Sequence, residues 1–478
     1  MRTVIKIFII GSILLCLFTA KKVQAQYDFM YFSGQPQGQL FNPAISPDSK
    51  MYIQLPVVSN FGINFRTAGF AYQDLIHQHP VYPDSLQLDF NGFLDKIKKN
   101  NSLMTNINTN ILGFGFYVKE NYFYFNMSLN VESKFSFSKG FFDFIANGTD
   151  MSEQNVNLLG GRMIDATAYL TTAFGYSREV NDKLTLGGSF KIYNGIANVR
   201  SNKTELNLEF DGNNITGYGN VDINTSFVFG RFKSAGSLID GDDDFDFESA
   251  DGGDIVKNLM KNKGFGVDFG AVYKYNDDMT FSASIVDFGF IKWKTNSTAI
   301  KSKNPGERVE FSGINSTYDN IGDDIDDYFD EMEDSIKRAF DLGVEDLGSY
   351  TTMVPVKLYL GYSWQFEKNM YLNALYRGRF ISGGYENSLS LNYTYKNGFF
   401  QISAGNTINH RFFNPGIYLG LGNIFYMGAD YSKSVNLAKT KGLSFYFGLN
   451  IAVGKKSVKK VKTEQENTET NETSFLER

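Results

Sequence analysis

The chain has 478 residues, with 46 Lys and Arg against 52 Asp and Glu, a formal net charge of −6 at pH 7. That acidic balance excludes a basic footprint for nucleic acid, and a single cysteine excludes a disulfide framework and a thiolate metal site. Aromatics make up 16% of the residues, 45 of them Phe and 28 Tyr, yet the mean hydropathy is −0.26, the signature of apolar and polar residues taken in alternation.

At the start of the chain, Arg2 and Lys6 flank an apolar run over 7–18, and Val23-Gln24-Ala25 offers small residues at a cleavage site. This pattern predicts a secretory signal peptide over 1–25, with Gln26 the first mature residue. Cys16 leaves with it, and Leu15 is too large for the position before a lipidated cysteine. The polar, Pro/Gly-rich segment 26–49 (SGQPQGQLFNPAISPDS at its centre) is expected to thread a barrel lumen as a small plug or to lie along the periplasmic rim. No later stretch holds eighteen consecutive apolar residues, which excludes a helical span.

Beyond this segment the strands begin. In NYFYFNMSLNVE, 121–132, Phe123, Phe125, Met127, Leu129 and Val131 fall on one face. Tyr122, Tyr124, Asn126, Ser128, Asn130 and Glu132 fall on the other. Period-two alternation means a β-strand with one apolar and one polar face. Comparable runs are read near 52–69, 105–118, 121–136, 163–179, 183–200, 203–210, 215–229, 264–275, 279–292, 352–366, 370–382, 385–396, 399–408, 415–421, 424–431 and 443–453. Seven Asn-, Asp- and Gly-rich turns separate them, at 120–121, 181–183, 211–214, 276–278, 367–369, 397–398 and 422–423.

The short turns are expected on one side of the sheet, and the long connections 70–104, 137–162, 230–263 and 293–351 on the other. That asymmetry belongs to outer-membrane barrels. The predicted fold is therefore all-β: a transmembrane antiparallel up-and-down barrel over 50–454, of about 14–16 strands with a count of sixteen. Both termini would be periplasmic, small helices would sit in the extracellular loops, and lipid would surround the wall. Tyr124, Asn126, Ser128, Asn130 and Glu132 become candidates for the lumen face.

Two loops raise chemical questions. IDGDDDFDFESADGGD gathers Asp240, Asp242, Asp244, Asp246 and Glu248, oxygen ligands of the kind Ca²⁺ takes. Phe247 and Gly253 stand where an EF-hand needs Gly and Glu, so the reading is a solvated acidic loop, with a weak Ca²⁺ site as the alternative. Over 321–340, Ile321, Ile325, Phe329, Met332, Ile336 and Phe340 recur at helical spacing. This helix either packs over the barrel mouth or offers Ile325, Phe329, Met332 and Ile336 as a lid or docking surface. GFLDKIKKN at 92–100 predicts a shorter helix.

Gly264, Gly266 and Gly270 in GFGVDFGAVY read as relief of crowding where strands bend or an inserted segment approaches. His77 and His79 lack a third ligand, so no metal is expected there. No GxSxG elbow appears, and neither enzyme activity nor a cofactor is expected. The charged tail 455–478 reads as a disordered periplasmic tether, or a partner-binding peptide.

Several stretches carry a family resemblance: FNPAISPDSKMYIQLPVVSNFGINFRTAGFAYQDLI at 41–76, NKGFGVDFGAVYKY at 262–275, SASIVDFGFIKWKT at 282–295 and LYLGYSWQF at 358–366. They resemble an uncharacterised, domain-of-unknown-function family of Bacteroidetes outer-membrane β-barrel proteins. That family is similar to the long-chain fatty-acid transporter superfamily of barrels, which implies fourteen strands with an N-terminal segment inside. It is also similar to barrels that accompany the gliding and type nine secretion machinery. These signatures are fold-like and carry no site residue across. Two functions follow as expectations. The first is a barrel that passes or binds small or hydrophobic solutes through a restricted lumen. The second is a non-transporting outer-membrane scaffold that holds a periplasmic or surface protein.

Overall fold

Alternation of the kind seen in 121–132 dictates the architecture, because every strand presents one face to each side of a closed wall. In the computed structural model, fourteen strands form a closed antiparallel ring among the described residues. Those residues are 28–78, 85–147, 155–211, 214–233, 245–247, 252–312, 342–381, 384–408, 413–432 and 439–455.

The ring begins with β1, in two pieces at Ser49–Gln54 and Phe61–Thr67. It continues through β2 (Asn100–Val118), β3 (Asn121–Ser138), β4 (Ile164–Glu179) and β5 (Leu184–Ser201). Then come β6 (Lys263–Lys274), β7 (Met279–Trp293) and β8, in two pieces at Tyr350–Met353 and Val356–Glu367. The rest are β9 (Met370–Ile381), β10 (Gly384–Asn397), β11 (Phe400–Ile408), β12 (Phe413–Leu421), β13 (Phe425–Ser432) and β14 (Gly442–Lys455). β14 pairs with both pieces of β1 and closes the ring, with Ser49 opposite Lys455.

Both interruptions have a cause in the sequence. Pro56 and Pro355 have no N–H to give to a ladder. Around Pro56 the wall is mended locally: Val57, at φ 64°, donates to the Asn110 carbonyl at 2.7 Å, and Leu449 donates to the Val58 carbonyl at 2.7 Å.

The strand count corrects the sequence expectation of sixteen. Residues 204–211 and 214–220 alternate like wall strands, yet they pair with 155–161 and 308–312 in a separate four-stranded sheet. Leu206 and Leu208 there pack with Phe144 and Val156, so their apolar face meets protein. The strand 222–227 pairs with the end of β5 and with 298–302. Six of the seven predicted turns join wall strands on the rim that holds residues 49 and 455; the turn at 211–214 joins two strands of the outer sheet. The short helix of the first long connection runs Phe90–Lys96, with Asp89 accepting from the Gly92 N–H at 2.7 Å.

The outer wall is apolar. Phe123 is 39% exposed, Phe269 63% and Ile417 66%, while Tyr122 and Tyr124 on the opposite face of β3 are buried. An apolar band this extensive far exceeds what a water-facing protein leaves open, and it is the surface of a membrane-spanning barrel. No described helix is long and apolar enough to cross a membrane.

Inside, tyrosines lie over glycines of the neighbouring strand. A Cβ on Gly175 would run into the Tyr124 ring, and one on Gly428 into Tyr446. Gly175→Val is expected to destabilise the barrel by about 1–3 kcal/mol, the cost of overpacking a filled interior. A lowered unfolding midpoint, partly restored by adding Tyr124→Ala, checks it.

Candidate functional site

Residues 28–48 meet the inward face of the wall. Of two short 3-10 helices, Asp28–Phe32 and Pro36–Leu40, the second carries two amides, Gln37 and Gln39. Gln37 Nε2 donates to the Ser59 carbonyl at 2.6 Å and to Asn450 Oδ1 at 2.7 Å. Gln39 Nε2 donates to the Tyr122 hydroxyl at 2.6 Å, and the Tyr52 hydroxyl donates to Gln39 Oε1 at 3.1 Å.

Across the ring, Ser284 Oγ donates to the Phe41 carbonyl at 2.6 Å and Asn42 Nδ2 to the Ala271 carbonyl at 3.3 Å. Gly270 and Gly187 stand where a side chain would strike Asn42 and Pro43. The Tyr31 hydroxyl donates to Ser282 at 3.0 Å; burial raises its pKa above the ordinary value, against the smaller opposing pull of the Ser282 and Asn42 hydrogen bonds. Phe29 and Met30 pack against Tyr418, Tyr426 and Tyr446.

Beyond Phe41 the interior becomes charged. The ladder between β6 and β7 shifts register near Val267, and Asp287 takes φ 62°. This bulge turns the consecutive residues Val286 and Asp287 away from the exterior, while Ile285 and Phe288 on either side are exposed. Lys191 Nζ lies 2.8 Å from Asp268 and 2.6 Å from Asp287, which Lys357 also approaches at 2.7 Å. Further along, Arg379 pairs with Glu132 and stands 3.8 Å from Glu386. A polar chain crosses β2, β3 and β4: Asn108 donates to Asn130 at 2.6 Å, and Asn130 donates to Thr171 at 3.0 Å.

Two cavities flank the Arg379–Glu132 pair. The first, about 110 Å³, lies against Leu40 and Phe41 and is lined by Asn108, Asn130, Lys357 and Arg377. The second, about 80 Å³, lies towards the long connections, where Arg162, Arg200, Asp165 and Glu386 meet Met104, Ile291, Met353 and Ile381. Asn106, Glu132, Tyr169 and Arg379 line both.

A family model described as a family of unknown function, DUF5723, matches residues 43–430. The chain belongs to DUF5723. A comparison with curated proteins found no match. Among solved structures, this DUF5723 member is similar to the TodX deltaS2S3 mutant monoaromatic hydrocarbon channel, at TM-score 0.42 and 11% identity over 88% of this chain and 94% of that one. It is likewise similar to the toluene transporter TbuX of Ralstonia pickettii, at TM-score 0.42 and 10% identity over 87% and 94%. A fadL homologue of Pseudomonas aeruginosa matches at TM-score 0.33 and 13% identity over 91% and 96%.

In this DUF5723 chain, the residues singled out on β3 fall as follows. Tyr124, Asn126 and Ser128 are buried; Asn126 donates to Gln54 at 3.0 Å, and Asn130 and Glu132 line the cavity against Phe41. Of the acidic loop, Asp246 is 3.2 Å from Lys233; Asp240, Asp242, Asp244 and Glu248 lie outside the described residues. So do Ile325, Phe329, Met332 and Ile336, residues 1–27, where a signal peptide is expected, and residues 456–478. Among the described residues, no three His, Cys, Asp or Glu side chains gather as a metal site.

Sequence reading did not single out Lys191, Asp268, Asp287, Lys357 or Arg379. The one signal for Asp287 was local: in SASIVDFGF the apolar residues change phase between Ile285 and Phe288, which is how a bulge appears in a period-two pattern.

Proposed function

We propose that this protein is an outer-membrane barrel that binds or passes small or hydrophobic solutes through a restricted lumen, with its rim of short turns facing the periplasm. The observation that carries this reading is the segment 28–48, hydrogen-bonded to wall strands on opposite sides of the ring, with two cavities on its far side. Polar groups of both cavities would orient a solute, and Met104, Ile291, Met353 and Ile381 would contact the carbon faces of its body.

Single-channel conductance of the purified protein in a planar bilayer, before and after deletion of 26–49, tests it. The expected result is silence in the full chain and steady conductance after deletion. Steady conductance from the full chain would remove segment 28–48 as the restriction. Silence from a folded deletion variant would overturn solute passage.

A further inference from the structure

The wall of the cavity near the long connections holds the carboxylates of Glu132, Asp165 and Glu386, the last with a buried Oε2 that no donor among the described residues reaches, and beside them three donors that lack acceptors. Arg162 Nη1, Arg200 Nε and Asn106 Nδ2 are buried and have no hydrogen-bond acceptor among the described residues. Arg200 reaches Asp165 through Nη2, at 3.4 Å. Asn106 as a whole is 7% exposed. All three side chains line this one cavity. Burial, and next the charge of Arg200, lower the pKa of Arg162 from its ordinary value, and only Asp165 opposes them.

A buried donor left unmade costs about 1–3 kcal/mol, and more when the group is charged. Three such donors around one space therefore call for a partner that brings acceptors. Guanidinium groups answer carboxylate and phosphate oxygens in particular, because their N–H fork matches them. The rest of the wall narrows the class. Thr167, Thr352 and Tyr169 add hydroxyls, and Asn106 and Tyr169 carry the same chemistry into the second cavity.

We propose that this cavity is a binding site for a small polar acid, its carboxylate or phosphate held between Arg162 and Arg200 and its hydroxylated body against Asn106 and Tyr169. This rests on the reading of the lumen as a solute route only in that the solute reaches the site from inside the barrel. Two cavities of about 80 and about 110 Å³ limit the body to roughly the size of one sugar ring.

Isothermal titration of the full-length protein in detergent micelles with D-glucuronate, D-glucose 6-phosphate, D-glucose, D-glucosamine and octanoate is the test. Saturable binding is expected for at least one sugar acid, and the stronger of the two tells carboxylate from phosphate. Glucose, glucosamine and octanoate are expected to bind at least about tenfold more weakly. Arg162→Gln and Arg200→Gln should each weaken the acid at least about tenfold, and Asn106→Ala about threefold. Arg200→Gln also removes a partner of Asp165, so Arg162→Gln, whose unfolding midpoint should stay unchanged, is the deciding variant.

The proposal is overturned if neither acid binds, if glucose, glucosamine or octanoate binds as tightly as the better acid, or if folded Arg162→Gln binds it unchanged. None of these outcomes depends on passage through the barrel, so a failed conductance test leaves this result interpretable.

Discussion

Lys191→Met is expected to lower the free energy of unfolding by about 3–5 kcal/mol, a large effect for one substitution in the barrel interior. The ammonium is within 3 Å of two carboxylates, and all three side chains are buried or nearly so: 7% exposed for Lys191, 1% for Asp268 and 12% for Asp287. Taking the lysine away leaves Asp268 and Asp287 facing one another, with Lys357 near only the second. The remaining partners of Asp268 are neutral donors, Ser189 at 2.6 Å and the Asp287 N–H at 2.7 Å. They satisfy its oxygens without neutralising its charge.

The double variant Lys191→Met/Asp268→Asn removes one charge of each sign and should recover more than half of the loss. Urea unfolding in lipid vesicles, read by the mobility shift of folded against unfolded barrel, measures both. A single variant within about 1 kcal/mol of the parent would show the cluster to be hydrated and weak, as surface pairs are.

How far such a cluster was legible depends on what period two can carry. Alternation in β3 identifies which residues share a face, and in the structure Phe123 is exposed where Tyr124 is buried. It says nothing about who stands beside whom around a ring. Lys191 and Asp287 are 96 residues apart, and Glu132 and Arg379 are 247 apart; only the register of the intervening strands brings them together.

The same limit explains the strand count. Leu206 and Leu208 alternate just as wall residues do, but their apolar face meets Phe144 and Val156 instead of lipid. A pattern that records one apolar face cannot record what covers it. For segment 28–48 the sequence offered only polarity, Pro and Gly. The signal for its neighbour was on the wall, where Gly270 leaves the space that Asn42 occupies.

The second large effect concerns the pair between the two cavities. In the background lacking 26–49, where current is measurable, Glu132→Gln and Arg379→Gln should each raise conductance at least about twofold and shift ion selectivity in opposite directions. Glu132 and Arg379 come from opposite parts of the chain and line both cavities, so their contact separates the two spaces. Removing the carboxylate leaves Arg379 with Glu386 at 3.8 Å, and the constriction should favour anions. Removing the guanidinium leaves Glu132 and Glu386 together, and it should favour cations.

The exchanged pair, Glu132→Arg with Arg379→Glu, distinguishes contact from charge. If the closed contact limits current, the exchange restores low conductance and the coupling between the two positions is large. If conductance in all three variants equals that of the deletion background, the constriction lies elsewhere in the lumen, and Lys357 with Asp287 is the next pair that lines it.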